Sequence, residues 1–491
     1  MLKDGKILIG KAEEKDVYIV PSQMNRHGLI TGASGTGKTV TAKVIAEALS
    51  ELGVPTVIAD VKGDLTGMIN KGNQEGINGR LESMGINDYE VRSFPVHFFD
   101  IYRQYGAPIR ASIQEMGPLL ISRILDLTDA QQGILNIIFK VAEDMELELI
   151  DLKDLQAMAS YVGEHAKDYT LKYGNVTKQS VGAIQRKLLE LEDQGGANFF
   201  GMPELDITTF LDKQDGLGYM NIIECSELFH HPLLYSTFLY WMLEEIYRAL
   251  PEVGDLDQPK LVFFFDEAHL LFNTANRQLM EKIEQTVKLI RSKGVGVFFI
   301  SQSPGDIPNT VLAQLSNRIQ HSLRAYTPAE IKVCKMAAES FRENPNLNVV
   351  ELISNMKTGT ALVSCLQEDG SPAIVEQTKI MPPKSSMDIA DLTMVSNFAR
   401  TDSALVDYWN DVDPFSAFES IDDIRYQDEQ TKLQEEENKR LAKEQERLER
   451  QKAKEKTFNE RLARKASNKL QTELVNMFAK GAKKAIKNWL K

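Results

Sequence analysis

Cysteine is scarce in this chain. Cys225, Cys334 and Cys365 are the only three among 491 residues, and their spacing fits neither a metal-ligand set nor a disulfide framework. A reducing compartment, the cytoplasm, is the expectation. Seven scattered histidines give no zinc pattern. No apolar run approaches the ~20 residues that a membrane-spanning helix needs. The charged start MLKDGKILIGKAEEK lacks an apolar core of leader-peptide length. A soluble protein is expected from both. Basic excess is missing too, since the formal net charge is −13. That argues against a general nucleic-acid coat but leaves room for basic loops lining a pore, where local charge decides. The hydrophobic content of 43% can fill a sizeable core. At roughly 100–200 residues per domain, the length allows two or three units.

Against these absences stand two halves of one nucleotide site. GASGTGKT at Gly32–Thr39 fits the phosphate-cradling pattern G-x-x-x-x-G-K-[ST]. It lies between a short apolar run, His27–Thr31, and a helical pattern that begins near Lys38. Successive backbone N–H groups of such a loop make an anion nest, and the helix N-terminus adds its dipole. Gly32, Ala33, Ser34, Gly35, Thr36, Gly37, Lys38, Thr39 and Val40 are the expected binding residues for ATP. Lys38 would reach the β/γ-phosphates and Thr39 would ligate Mg²⁺. The second half is LVFFFDEAH at Leu261–His269. Its apolar run reads as a strand buried on both faces of a parallel sheet. Asp266 would emerge at its carboxyl end as the second magnesium contact, and Glu267 would polarise the attacking water as general base.

Three further features bear on hydrolysis. Gln302 follows the strand-like VGVFFIS and is placed to sense the γ-phosphate or the attacking water. Arg318 is the favoured cation to be supplied to a neighbouring subunit's site, with Arg324 and Arg291 as other candidates. The loop DVKGDLTG, Asp60–Gly67, opens at the same sheet edge, so Lys62 and Asp64 could touch nucleotide or relay its state. The tetrapeptide Asp266–His269 invites comparison with the two-domain DEAH helicases. Their downstream S-A-T and Q-x-x-G-R-x-G-R motifs do not occur here.

The rest of the chain divides by pattern. Strand-like pieces at Lys6–Ile9 and Val17–Val20 suggest an edge hairpin. Residues 1–105 hold this hairpin and the first part of an α/β core, with a helix near Lys38–Leu52 and strands at Thr56–Asp60 and Val96–Phe99. Residues 106–215 form a helical insertion, with amphipathic stretches at Ile113–Leu125, Asp129–Asp144, Leu152–Tyr161 and Thr177–Leu191. The core resumes over 216–385, with strands at Gly218–Glu224, Leu261–Asp266, Val295–Ser301 and Arg318–Leu323. A closing hairpin at Gly359–Cys365 and Ala373–Gln377 precedes Pro382–Pro383. Aromatics in Phe238–Ala249 either pack on the sheet or form a stacking platform. Residues 386–429 are mixed, and 430–491 are a charged helical arm. In its last part, Asn468–Lys491, Leu470, Leu474, Met477, Phe478, Ile486, Trp489 and Leu490 share a face, with lysines around them. That pattern suits an anionic membrane surface or an acidic protein partner, or docking on the chain's own acidic body or a neighbouring subunit.

Five separated blocks, GLITGASGTGKTVT, DVKGDLTGM, LVFFFDEAHLLF, KLIRSKGVGVFFISQSPGDIP and LSNRIQHSLRAYTP, together resemble the HerA-like branch of the HerA/FtsK ATPases. The resemblance spans about residues 5–385. It implies an α/β, RecA-like P-loop core, a homohexameric ring with ATP at subunit boundaries, and double-stranded DNA moved through the pore. It also implies that Lys38 and Thr39 serve phosphate and Mg²⁺, Asp266 and Glu267 hydrolysis, Gln302 sensing and Arg318 the trans contact. A β-barrel precedes the phosphate loop in HerA proper, whereas residues 1–31 are all that precede it here. An ATPase working on polypeptide or at a membrane, and a nucleotide-dependent scaffold, are the competing readings.

Overall fold

The computed structural model describes residues 1–273 and 277–489. Eleven strands build the main sheet: β1 (Lys6–Ala12), β2 (Lys15–Ile19), β3 (Gly28–Thr31), β4 (Thr56–Asp60), β5 (Val96–Asp100), β6 (Met220–Glu224), β7 (Leu261–Phe265), β8 (Val295–Ser301), β9 (Asn317–His321), β10 (Thr360–Ser364) and β11 (Glu376–Ile380). Two-residue strands at Leu2–Lys3 and Ala107–Pro108 extend its ends. The order is β1-β11-β10-β9-β3-β8-β7-β4-β6-β5, with β2 paired to β1. Seven strands from β9 to β5 are parallel, and the β9–β10, β10–β11, β11–β1 and β1–β2 pairs are antiparallel.

Every residue of β3, β4, β5, β7 and β8 is buried, which is why none of them shows the apolar–polar alternation of a half-exposed strand. Neighbours must still fit. Phe298 of β8 is in register with Gly28 of β3, and a Cβ on Gly28 would stand 2.2 Å from the Phe298 ring. Glycine there leaves the space that the ring fills.

Helix α1 (Lys38–Glu51) packs on two sides. Ala42, Ile45, Ala46 and Leu49 join the main core beneath the sheet, while Val44 joins a separate cluster with Ile77, Leu81 and Met381. α1 is therefore covered from both directions. Buried Glu47 accepts the backbone N–H groups of Lys384 (2.6 Å) and Ser385 (3.1 Å). That anchor keeps the chain on the body beyond Pro382–Pro383, and the first compact unit runs to Phe418.

Between β5 and β6 come α2 (Ile113–Ile124), α3 (Asp129–Asp144), α4 (Leu152–Glu164) and α5 (Lys178–Asp193). Capping boxes start α3 at Thr128/Gln131 and α4 at Asp151/Asp154. The aromatic-rich helix α6 (Pro232–Ala249) is core: Tyr240 and Trp241 are 3% and 1% exposed. Trp241 meets Phe199 edge-on at 5.5 Å. No stacking platform is left open at those two rings.

Strand ends differ from expectation for local reasons. β9 stops at His321 because the Ser322 carbonyl turns to accept the Ala33 N–H (2.8 Å). β11 starts at Glu376 because Ala373 still belongs to the turn, donating to the Cys365 carbonyl (2.9 Å). The second unit begins at Glu419, and its described residues belong to α7 (Ala417–Trp489), one uninterrupted helix through both the charged arm and the basic segment. Pairs such as Glu435–Lys439 and Glu446–Arg450 support it at i,i+4 spacing. Leu490 and Lys491, named above, lie outside the described residues, as do the side chains of Lys487 and Trp489.

Trp241→Ala is expected to lower stability by about 3–5 kcal/mol through loss of buried area and the cavity left behind. Denaturant unfolding checks this. A change below about 1 kcal/mol would show that α6 is not locked into the core.

Candidate nucleotide site

Topology assembles the site. β8 lies between β3 and β7. All three point the same way, so the Gly32–Thr39 loop, the Asp266–Glu267 pair and Gln302 leave the sheet at one carboxyl edge. β4 lies on the other side of β7 and brings Asp60 and the Lys62 loop to that edge.

The phosphate loop is held from behind. Gly32 N–H donates to the Ser301 carbonyl at 3.3 Å, and Thr36 hydroxyl to the Ala33 carbonyl at 2.7 Å. Gly32, Gly35 and Gly37 have φ values of 155°, 74° and 112°. Gly32 has a second constraint, since a Cβ there would lie 2.5 Å from the His321 Cβ. Ser34 and Gly35 are exposed, and Thr39 and Val40 are half-buried in the first turn of α1. Lys38 is 4% exposed, and its ammonium folds back on the loop's own Gly32 (2.6 Å) and Ala33 (3.3 Å) carbonyls. Burial and the nearby Lys62 charge lower its pKa, against the pull of Glu267, Asp266 and Asp306. A buried cation satisfied only by carbonyls suits exchange of those contacts for an anion. The residues present therefore fit a bound polyphosphate.

Opposite the loop, Asp266 and Glu267 are 6% and 5% exposed. Asp266 accepts the Glu267 N–H (2.9 Å), and its carbonyl accepts the Tyr235 hydroxyl (2.7 Å). Burial, then the neighbouring Glu267 charge, push the Asp266 pKa up to about 6. Asp60 is pushed up to about 7 by burial and by Asp64, although Lys62, Gly63 and Leu65 N–H groups donate to it. Several acids compressed at one edge make an environment that favours a divalent cation.

Glu267 has a left-handed φ of 45°, a conformation that costs a non-glycine residue about 1–3 kcal/mol. The turn aims its carboxylate at three groups. Gln302 Nε2 donates to it at 3.4 Å, His269 Nδ1 lies at 3.3 Å, and Lys62 Nζ at 3.8 Å. Sequence reasoning placed Gln302 and Lys62 near the chemistry but gave His269 and Tyr235 no part. It also missed His321, whose Nε2 lies 2.9 Å from the Thr41 hydroxyl behind the loop. Burial and the Lys38 charge lower the His321 pKa to about 4, so it is neutral there. His269 sits two residues past Glu267, whereas Tyr235 on α6 and His321 on β9 come from segments that only the folded chain brings here.

Arg318 is not gathered into this group. Its guanidinium donates to the carbonyls of Leu312, Leu315 and Ser340 at 3.2 Å each. It stands opposite Leu29 in β3, well before the carboxyl edge. Arg324 follows that edge and is exposed.

The profile described as Helicase HerA-like C-terminal matches residues 6–491. A DNA double-strand break repair helicase HerA of Sulfurisphaera tokodaii is 22% identical over 378 residues, covering 74% of this chain and 67% of that protein. The protein of the same name from Saccharolobus solfataricus is 22% identical over 374 residues, covering 74% and 66%. The chain thus spans about two thirds of the length of these curated relatives. Among solved structures, plasmid coupling protein TrwB with a non-hydrolysable GTP analogue aligns with a TM-score of 0.51 at 15% identity, over 76% of this chain and 91% of that one. VirB4 of Thermoanaerobacter pseudethanolicus also gives 0.51 at 15% identity, over 78% and 99%. These likenesses show the fold.

Asp266→Asn gives a pH-dependent outcome. Below about pH 4 the folded and unfolded chains both hold the proton on Asp266, and the stability it confers is lost as pH rises through its folded value near 6. The asparagine variant escapes that loss. Without nucleotide or Mg²⁺, it should gain about 2–3 kcal/mol relative to the parent between pH 4 and pH 8. Thermal unfolding at the two pH values tests this, and a gain that shrinks as pH rises would refute it.

Proposed function

The chain belongs to the helicase HerA-like C-terminal family, and from that premise we propose that it is an ATP-hydrolysing ring motor acting on double-stranded DNA. One observation carries the reading. The phosphate loop, the Asp266–Glu267 pair and Gln302 meet at one edge of three adjacent parallel strands, with Gln302 in contact with Glu267. The helicases named above supply the DNA part of the proposal by kinship.

In this reading the loop from Gly32 to Val40 cradles the triphosphate with its backbone N–H groups, and Lys38 leaves its carbonyls for the β/γ-oxygens. Thr39 and Asp266 would hold Mg²⁺, which when bound neutralises charge on the phosphates. Glu267 takes the proton of the attacking water. Gln302, already bonded to Glu267, orients that water and reports the γ-phosphate's presence. Lys62 and His269 hold the carboxylate in place meanwhile. A hexamer with each site at a subunit boundary would complete the charge from a neighbour. We assign that cation to Arg324 and not to Arg318, because Arg318 is already engaged by three carbonyls of its own chain.

Turnover should rise on adding double-stranded DNA. Glu267→Gln should bind ATP normally yet hydrolyse it at least about a hundredfold more slowly, the usual worth of a general base. Turnover indifferent to DNA would remove the DNA motor and leave the ATPase. Near-parental turnover by the variant would remove Glu267 from its role.

The arginines separate by a different readout. Arg324→Ala should cut turnover about a thousandfold with ATP binding and assembly retained, whereas Arg318→Ala should lower the thermal midpoint. A reversed pattern would return the trans role to Arg318.

A further inference from the structure

The distal part of α7 has no task in nucleotide chemistry, and its composition is unlike the rest of the helix. Between Arg461 and Ile486, Glu473 is the only acid among seven lysines and arginines. Leu470, Leu474, Met477 and Phe478 are 61%, 46%, 64% and 77% exposed. At about 100° per residue they fall, with Gly481 and Ala485, on a stripe about 100° wide. Lys469, Lys480, Lys483 and Lys484 lie outside that stripe, Lys484 along its border and the others on the far side. Val475 and Ile486, 66% and 61% exposed, fall outside the stripe, so Ile486 does not share the face expected of it, but the stripe itself carries no lysine.

We propose that this segment, Asn468–Ile486, lies flat on an anionic lipid surface, with Leu474 and Phe478 entering the headgroup–acyl boundary and the lysines meeting lipid phosphates. Charge and shape favour that occupant over others. A second copy paired as a coiled coil needs an apolar seam sustained over several heptads. The seam through Leu470, Leu474 and Met477 runs into Gly481 and Lys484 ahead and Ser467 and Glu460 behind. DNA would satisfy the lysines but leave Phe478 and Leu474 in water. A lipid surface takes both faces at once: apolar side chains enter it, and long lysine stems let their charges reach the headgroups. The mode is attachment in the plane, since among the described residues no helix is long and apolar enough to cross a membrane. Because the chain's net charge is −13, its bulk charge would oppose adhesion to anionic lipid. Any binding must then be local to this segment.

Flotation of the full chain with phosphatidylcholine vesicles, with and without phosphatidylglycerol, tests this. The chain should float only with the anionic vesicles, and less so as salt rises. Leu474→Glu with Phe478→Glu, and separately Lys480→Glu with Lys483→Glu, should each cut the bound fraction about tenfold or more, with basal ATP turnover and helix content unchanged. Absence of flotation by the parent chain overturns the proposal. So does flotation that survives both pairs of changes. If those changes instead reduce the assembly's size or its affinity for DNA while leaving flotation intact, the segment is a self-association or DNA element and the proposal fails.

Discussion

Everything at the nucleotide edge depends on one arrangement: β8 inserted between β3 and β7 in a sheet whose central strands all run the same way. Parallel strands deliver their carboxyl ends to one side. The inserted strand widens the gap between phosphate loop and acidic pair, and the residue just past its end, Gln302, fills that gap. The Ser301 carbonyl at the same strand end also braces Gly32. One strand therefore supports the loop and supplies a polar side chain that touches Glu267. The apolar packing that sets its position is extreme, with all seven residues of β8 buried.

The cost of concentrating charge is visible at that edge. Asp60 and Asp266 are pushed well above the ordinary carboxylate range by burial and by the acids beside them, Asp64 for the first and Glu267 for the second. Lys38 and Lys62 offset part of the repulsion, and backbone N–H groups offset more. Glu267 adds a left-handed backbone. A site that is unfavourable alone and relieved by a cation and an anionic ligand couples folding energy to ligand binding, because whatever neutralises it stabilises the folded chain.

Much of this was legible from residues. β3 and β7 read correctly as apolar runs because burial on both faces removes alternation. Asp129–Asp144 matched from end to end because Thr128 and Gln131 mark its start chemically. The candidate site residues Lys38, Asp266 and Glu267 stood out because a glycine-rich phosphate pattern and an acid pair after an apolar strand have few other uses, and Gln302 because it follows a strand-like run. Less legible were contacts between residues far apart in sequence. Nothing around Tyr235 or His321 announces that one will bond the Asp266 carbonyl and the other will sit behind the phosphate loop. Arg318 looked available by position, yet its three carbonyl partners come from turns that close only in the folded chain. The charged arm and the basic segment read as different in kind, but helix continuity depends on local i,i+4 pairing and tolerates a change of composition.

The sequence by itself determined the parts: the phosphate loop, the acidic pair, the strand and helix periods, and the sorting of apolar and basic residues at the far end of α7. These are local, since spacing and side-chain chemistry over a dozen residues are enough to specify them. Tertiary structure alone decided which parts meet. Strand order, the two-sided burial of α1, the contacts around Glu267 and the engagement of Arg318 all arise from packing between segments separated by tens to hundreds of residues, where shape complementarity governs and no local pattern records the partner.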